Sequence, residues 1–161
     1  MRRISFLFLI TFVFFLLELV FAEFFGRWFK PNLLLLLVVY FSLSWGIRQG
    51  LFVACVAGVL KDSMSAGVFG IHFFSFVLCA YAVAAINKYF YRPDTSSARL
   101  LVTFGITVLY ALVNYFLVSL FQSVNFFAAF RFVMFSEIIL TTLLAAFIFK
   151  RVRRCVLRLS V

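Results

Sequence analysis

Charges, glycines and prolines cut an otherwise apolar sequence into six segments, at about 4–25, 31–45, 48–64, 70–88, 99–120 and 128–149. That punctuation limits the architectures open to the chain. Crossing a hydrocarbon core takes roughly 20 helical residues, with a range of about 17–25. The first, fourth, fifth and sixth segments meet this length directly. The second, Pro31 to Trp45, offers about 22 Å at 1.5 Å rise per residue. The third is apolar only from Leu51 to Leu60. These two form either a pair of short spans or one re-entrant hairpin. In a hairpin the turn Gly46-Ile47-Arg48-Gln49-Gly50 would lie at membrane depth. An arginine there costs about 2.5–3.5 kcal/mol on insertion scales, and exposed turn backbone costs more. The sequence therefore predicts an all-α, polytopic membrane protein of about six transmembrane helices, a single integral-membrane domain over residues 1–161 with a basic tail at 150–161.

Composition agrees with a lipid solvent. Hydrophobic residues make up 66% of the chain and charged residues 12%, against roughly a quarter charged in soluble domains. The mean hydropathy is +1.18. A soluble globule has too little interior to hide this much apolar surface. A water-soluble enzyme, a disordered tail and a secreted disulfide scaffold are excluded on that ground. The net charge of +10 would suggest nucleic acid on a soluble protein. Here no basic stripe has a soluble domain of its own, so no nucleic-acid partner is expected. The charges read instead as flanks that orient membrane helices and touch anionic lipid. With both termini cytoplasmic, only Arg27, Lys30, Lys61 and Arg131 of the 15 basic residues fall outside. The run after Met1-Arg2-Arg3 is longer than a signal-peptide core and contains Glu18, so it reads as an uncleaved first span.

Few residues are equipped for chemistry. H-E-x-x-H, G-x-S-x-G and phosphate-loop patterns are absent. Cys55, Cys79 and Cys155 include no C-x-x-C pair, and with a single histidine, His72, no metal site or cofactor is expected. Gly46, Gly50, Ala54, Gly58 and Asp62 recur every four residues. On a helix this places small side chains along one face, which serves close internal packing or the docking of a partner helix. Asp62 precedes the connection Ser63–Ile71 into the fourth segment, where its carboxylate can accept backbone N–H groups of the next helix start. His72 reads as a hydrogen-bonded structural residue near the start of that helix. Glu18, Asn114 and Glu137 are polar residues inside apolar segments. Intramembrane ionisable residues carry functional hypotheses. Glu18 and Glu137 would share one proton or pair with partner groups. Proton transport would need a more polar, broken-helix pathway than this sequence offers.

Residues 30–72 carry a further signal. Lys30-Pro31-Asn32 opens a leucine-rich run, Gly50 and Gly58 follow, and Lys61-Asp62-Ser63 leads to Ala66-Gly67-Val68-Phe69-Gly70-Ile71-His72. This resembles the bacterial rod shape-determining protein family MreD, whose pattern falls on Pro31, Asn32, Gly50, Gly58, Asp62, Gly67 and Gly70. Lys61 and Ala66 depart from the hydrophobe and serine of that pattern. The resemblance implies a non-catalytic scaffold of the bacterial cytoplasmic (inner) membrane, within the elongation complex (elongasome) that supports rod shape and peptidoglycan synthesis. It further implies binding to an MreC-like single-span protein and indirect links to an MreB-type actin and the wall-synthesis enzymes. It also implies an arrangement of spans similar to the substrate-binding subunits of energy-coupling-factor transporters. The rival reading is a small-molecule binding subunit of a membrane transporter, which needs an outward-facing pocket with convergent polar groups.

Overall fold

A computed structural model describes residues 2–24, 32–65, 69–89, 96–122, 138–145 and 147. The described chain is all helical, without strands. Five helices run in order: α1 (Arg2–Phe24), α2 (Leu33–Ser44), α3 (Ile47–Met64), α4 (Ile71–Tyr89) and α5 (Ser96–Gln122). Residues 138–145 are helical as well. The first four helices lie within about two residues of the apolar segments. α5 begins three residues before its segment, because Ser96-Ser97-Ala98 add a polar helical turn ahead of the apolar run. Three helices, over Ile4–Phe24, Ile71–Tyr89 and Arg99–Phe121, are long and apolar enough to cross a membrane.

Consecutive helices α1 to α4 alternate in direction. Glu18 near the end of α1 meets the start of α2 at Leu34. Ser42 near the end of α2 faces Gly50 at the start of α3. Asp62 at the end of α3 meets His72 and Phe73 at the start of α4. The bundle thus has a proximal end, with Arg2, Ser44, Ile47 and Tyr89, and a distal end, with Glu18, Asn32, Asp62 and His72.

The shortest helix lies at the centre. α2 contacts α1, α3, α4 and α5, and every side chain from Leu33 to Ser42 is buried. Its sequence is apolar around the whole circumference, the pattern of a helix enclosed by others. Asn32 caps it: its Oδ1 accepts the Leu35 N–H at 3.1 Å, satisfying one of the donors a helix start leaves open. α3 packs against it through glycine. A Cβ on Gly50 would fall onto Ser42, 2.8 Å from its Cα, and one on Gly58 would lie 2.5 Å from the Phe73 Cα. The small face of α3 therefore serves two internal contacts, α2 at its proximal half and α4 at its distal half. Two glycines also adopt positive φ, Gly46 at 92° before α3 and Gly70 at 101° before α4, a region L side chains rarely occupy.

The outer helices are apolar outward and mix hydroxyls with apolar side chains inward. α1 buries a narrow stripe of Leu7, Thr11 and Phe15, while Phe8, Leu9, Phe12, Leu16 and Val20 are exposed. α5 buries Thr103, Ile106, Thr107, Tyr110 and Ala111 and exposes Leu101, Phe104, Phe116 and Leu120. The inward hydroxyls return to their own helices, Thr11 Oγ1 donating to Leu7 O at 2.7 Å and Thr107 Oγ1 to Thr103 O at 2.8 Å. Large apolar side chains facing the solvent and hydroxyls facing the core make sense where the solvent is hydrocarbon, and buried hydroxyls are satisfied internally.

Candidate functional site

The distal end gathers a cluster of buried and half-buried polar side chains from several helices. Asp62 is its anchor. It is 3% exposed and uses both carboxylate oxygens, Oδ1 accepting the His72 N–H at 3.0 Å and Oδ2 the Phe73 N–H at 2.9 Å. These are charge-assisted bonds to a helix start, where the backbone dipoles favour negative charge. They hold α4 against the end of α3. The close approach at Gly58 is what brings the Phe73 backbone within reach.

Beside it, Lys61 ties three helices. Its Nζ lies 2.9 Å from Glu18 Oε1 on α1, with the two side chains 20% and 16% exposed. The same ammonium sits 5.6 Å from the Phe76 ring centroid on α4 and 5.8 Å from the Tyr110 ring centroid on α5, the geometry of a cation–π contact. Those two rings stack on each other at 5.2 Å. Glu18 has a second duty, its Oε2 accepting the Leu34 N–H at 3.1 Å. One of the open donors at the start of α2 is thereby satisfied by α1 rather than by α2 itself.

A third group joins α4 to α5. Asn114 Nδ2 lies 2.8 Å from His72 Nδ1 and 3.3 Å from the Tyr110 hydroxyl, and that hydroxyl is 2.9 Å from the same ring nitrogen. With the Asn114 amide donating, His72 Nδ1 is an acceptor, which places the ring proton on Nε2. Asn32 closes the cluster on the other side, its backbone N–H donating to Thr141 Oγ1 at 3.1 Å. Six helical segments thus meet through a small set of polar side chains.

Of the residues singled out in the sequence, Glu18, Asn32, Asp62 and Asn114 converge here, and Gly58 and Gly70 shape the backbone around them. Gly50 lies apart, at the proximal α2–α3 contact. Glu18 pairs with Lys61. Pro31, Gly67, Glu137 and the tail 150–161 lie outside the described residues. Tyr110 and Thr141 had no sequence signal of their own, Lys61 only that of a departure from the family pattern, and His72 only that of a lone histidine. A cluster of this kind has the means to lock helices together. Among the described residues no three or more His, Cys, Asp or Glu side chains are grouped to hold a metal ion.

A family model described as rod shape-determining protein MreD matches residues 1–155 of the chain. No curated protein and no solved structure matches significantly, so the likeness to energy-coupling-factor subunits rests on the sequence resemblance alone.

Proposed function

The chain belongs to the MreD family of rod shape-determining proteins, and from that premise we propose that it is a non-catalytic scaffold of the cytoplasmic membrane that grips an MreC-like single-span partner. Family membership supports a role in rod shape determination and association with the shape-determining complex. The observation that carries the scaffold reading is how the distal polar groups are employed. Asp62, Glu18, Lys61 and Asn32 each bind another helix of the same chain, while the outer faces of α1 and α5 present large apolar side chains. A rigid core with apolar outer faces suits gripping another transmembrane helix, through shape and van der Waals contact.

Six crossings with both termini cytoplasmic form part of the proposal. The turn between α2 and α3 lies at the level of the end of α4, because Ser42 and Ile47 line the same cavity as Asn87, Lys88 and Tyr89. α4 is long enough to cross, so this level is that of a membrane surface and not its middle. That argues for two short crossings over a re-entrant hairpin. The central position of α2 makes its shortness tolerable, since neighbouring helices cover its ends.

The test is co-expression of the tagged full-length chain with the MreC-like protein, followed by purification in mild detergent. Stoichiometric recovery of both chains is expected. Recovery of the tagged chain alone, folded and at normal yield, overturns the scaffold reading.

A further inference from the structure

We propose that the proximal end of the bundle holds an anionic phospholipid of the adjoining leaflet by its glycerol-phosphate headgroup. A cavity of about 530 Å³ opens there, between the end of α2, the start of α3 and the last three turns of α4. Two of its lining side chains have buried polar atoms, Ser42 Oγ and Asn87 Oδ1, with no hydrogen-bond partner among the described residues. Ser42 is fully buried. Orphaned buried polar atoms of this kind call for a ligand or an ordered water to pair with them. The requirements are specific. Asn87 Oδ1 only accepts, so its partner must donate. The Lys88 ammonium only donates, so its partner must accept. A glycerol-phosphate headgroup carries hydroxyl donors and phosphate acceptors together.

The placement of polarity selects an amphiphile over a soluble polar ligand. Asn87, Lys88 and Tyr89 occupy the last turn of α4, at the membrane surface on the reading above, on which this inference rests. Ala85, Ala84 and Tyr81 follow towards the core, and Ile47 closes the α3 side. Polar contacts at the rim and apolar walls deeper in reproduce the order of headgroup and acyl chain across a leaflet. Charge agrees as well. Glu18, Glu23 and Asp62, the carboxylates among the described residues, all stand towards the distal end, whereas Arg48 and Lys88 stand at the proximal one.

The experiment uses the full-length protein in detergent, delipidated and then offered phosphatidylglycerol, phosphatidic acid, phosphatidylcholine or soluble glycerol 3-phosphate, with retained lipid counted by native mass spectrometry and stability followed by melting. Phosphatidylglycerol is expected to be retained most and to raise the melting temperature most. Lys88→Gln, at an exposed side chain, is expected to lower its retention about fivefold. Ala84→Phe, which fills the cavity wall, is expected to abolish the preference. Equal retention by wild type and both variants overturns the site. Equal retention of phosphatidylcholine removes the anionic headgroup from the proposal, equal retention of phosphatidic acid removes the hydroxyl donors, and an equal effect of glycerol 3-phosphate removes the membrane source; each of these overturns it. Wild-type chain recovered outside the membrane fraction would overturn the membrane reading and this proposal together, and is told apart from the others before any lipid is added.

Discussion

Asp62 shows what one buried carboxylate does in this fold. Both oxygens are engaged by backbone N–H groups of α4, so removing the side chain leaves two donors without partners in a low-dielectric setting. Asp62→Ala is expected to destabilise the protein by about 1–3 kcal/mol, and Asp62→Asn, which keeps one acceptor, by less. Melting in detergent ranks the three proteins; a wild-type melting temperature for Asp62→Ala would show that the carboxylate does not hold α4. This contact was legible in the sequence, because an aspartate before a glycine- and serine-rich connection has an obvious set of donors in the next helix. The partnership of Lys61 with Glu18 was not. Forty-three residues separate them, and nothing in an apolar first segment says which way Glu18 turns. The structure also gives a reason for a departure from the family pattern: a lysine stands where a hydrophobe is expected, and Glu18 and two aromatic rings receive it. Replacing one member of such a partly buried pair strands the other, while replacing both removes the mismatch. Lys61→Met combined with Glu18→Gln is therefore expected to melt closer to wild type than either single variant. Additive losses in a double-mutant cycle would mean the two side chains act independently.

At the scale of elements the same sequence shows where periodicity informs and where it fails. The four-residue recurrence of small residues identified the buried face of α3. Its slow drift around the helix explains why Gly50 meets α2 and Gly58 meets α4. Gly58→Ala places a Cβ 2.5 Å from the Phe73 Cα, so α3 and α4 must move apart, at a cost of about 1–3 kcal/mol. Gly105 is the internal control. It sits in α5 with open space around it, and Gly105→Ala is expected to leave stability unchanged or raise it by up to about 1 kcal/mol. Equal melting temperatures for the two alanine variants would show that the glycine contact is not tight. The rotations of α1 and α5 were not legible in this way. α1 is apolar nearly all round, so only Thr11 and Glu18 distinguish the face that also buries Leu7 and Phe15, and on α5 the threonines and Tyr110 share the inward face with Ile106 and Ala111. α2 presents the opposite case: lack of contrast there was itself the signal, since a helix apolar on every side belongs in the middle.

For the whole molecule, the decisive question is which ends of the helices share a side of the membrane. Two independent lines lead to the same arrangement. The distribution of basic residues favours cytoplasmic placement of the Arg48 turn and of Lys88, and the shared cavity lining puts the start of α3 and the end of α4 at one level. Against this stands the length of α2, about 18 Å at 1.5 Å per residue, well short of a hydrocarbon core of about 30 Å. The enclosure of α2 resolves the conflict, because its ends meet protein: Glu18 and Thr141 at the distal start, Gly50 at the proximal finish. Single cysteines introduced into a background lacking the native ones test the arrangement directly. Gln49→Cys and Lys88→Cys are expected to react with a membrane-impermeant maleimide only from the cytoplasmic side. Phe69→Cys, at an exposed position between α3 and α4, is expected to react only from the other side. A re-entrant hairpin would instead leave Gln49→Cys unreactive from both sides. Reaction of Gln49→Cys and Phe69→Cys from the same side would mean that α3 does not cross, and the six-crossing proposal would fail with it.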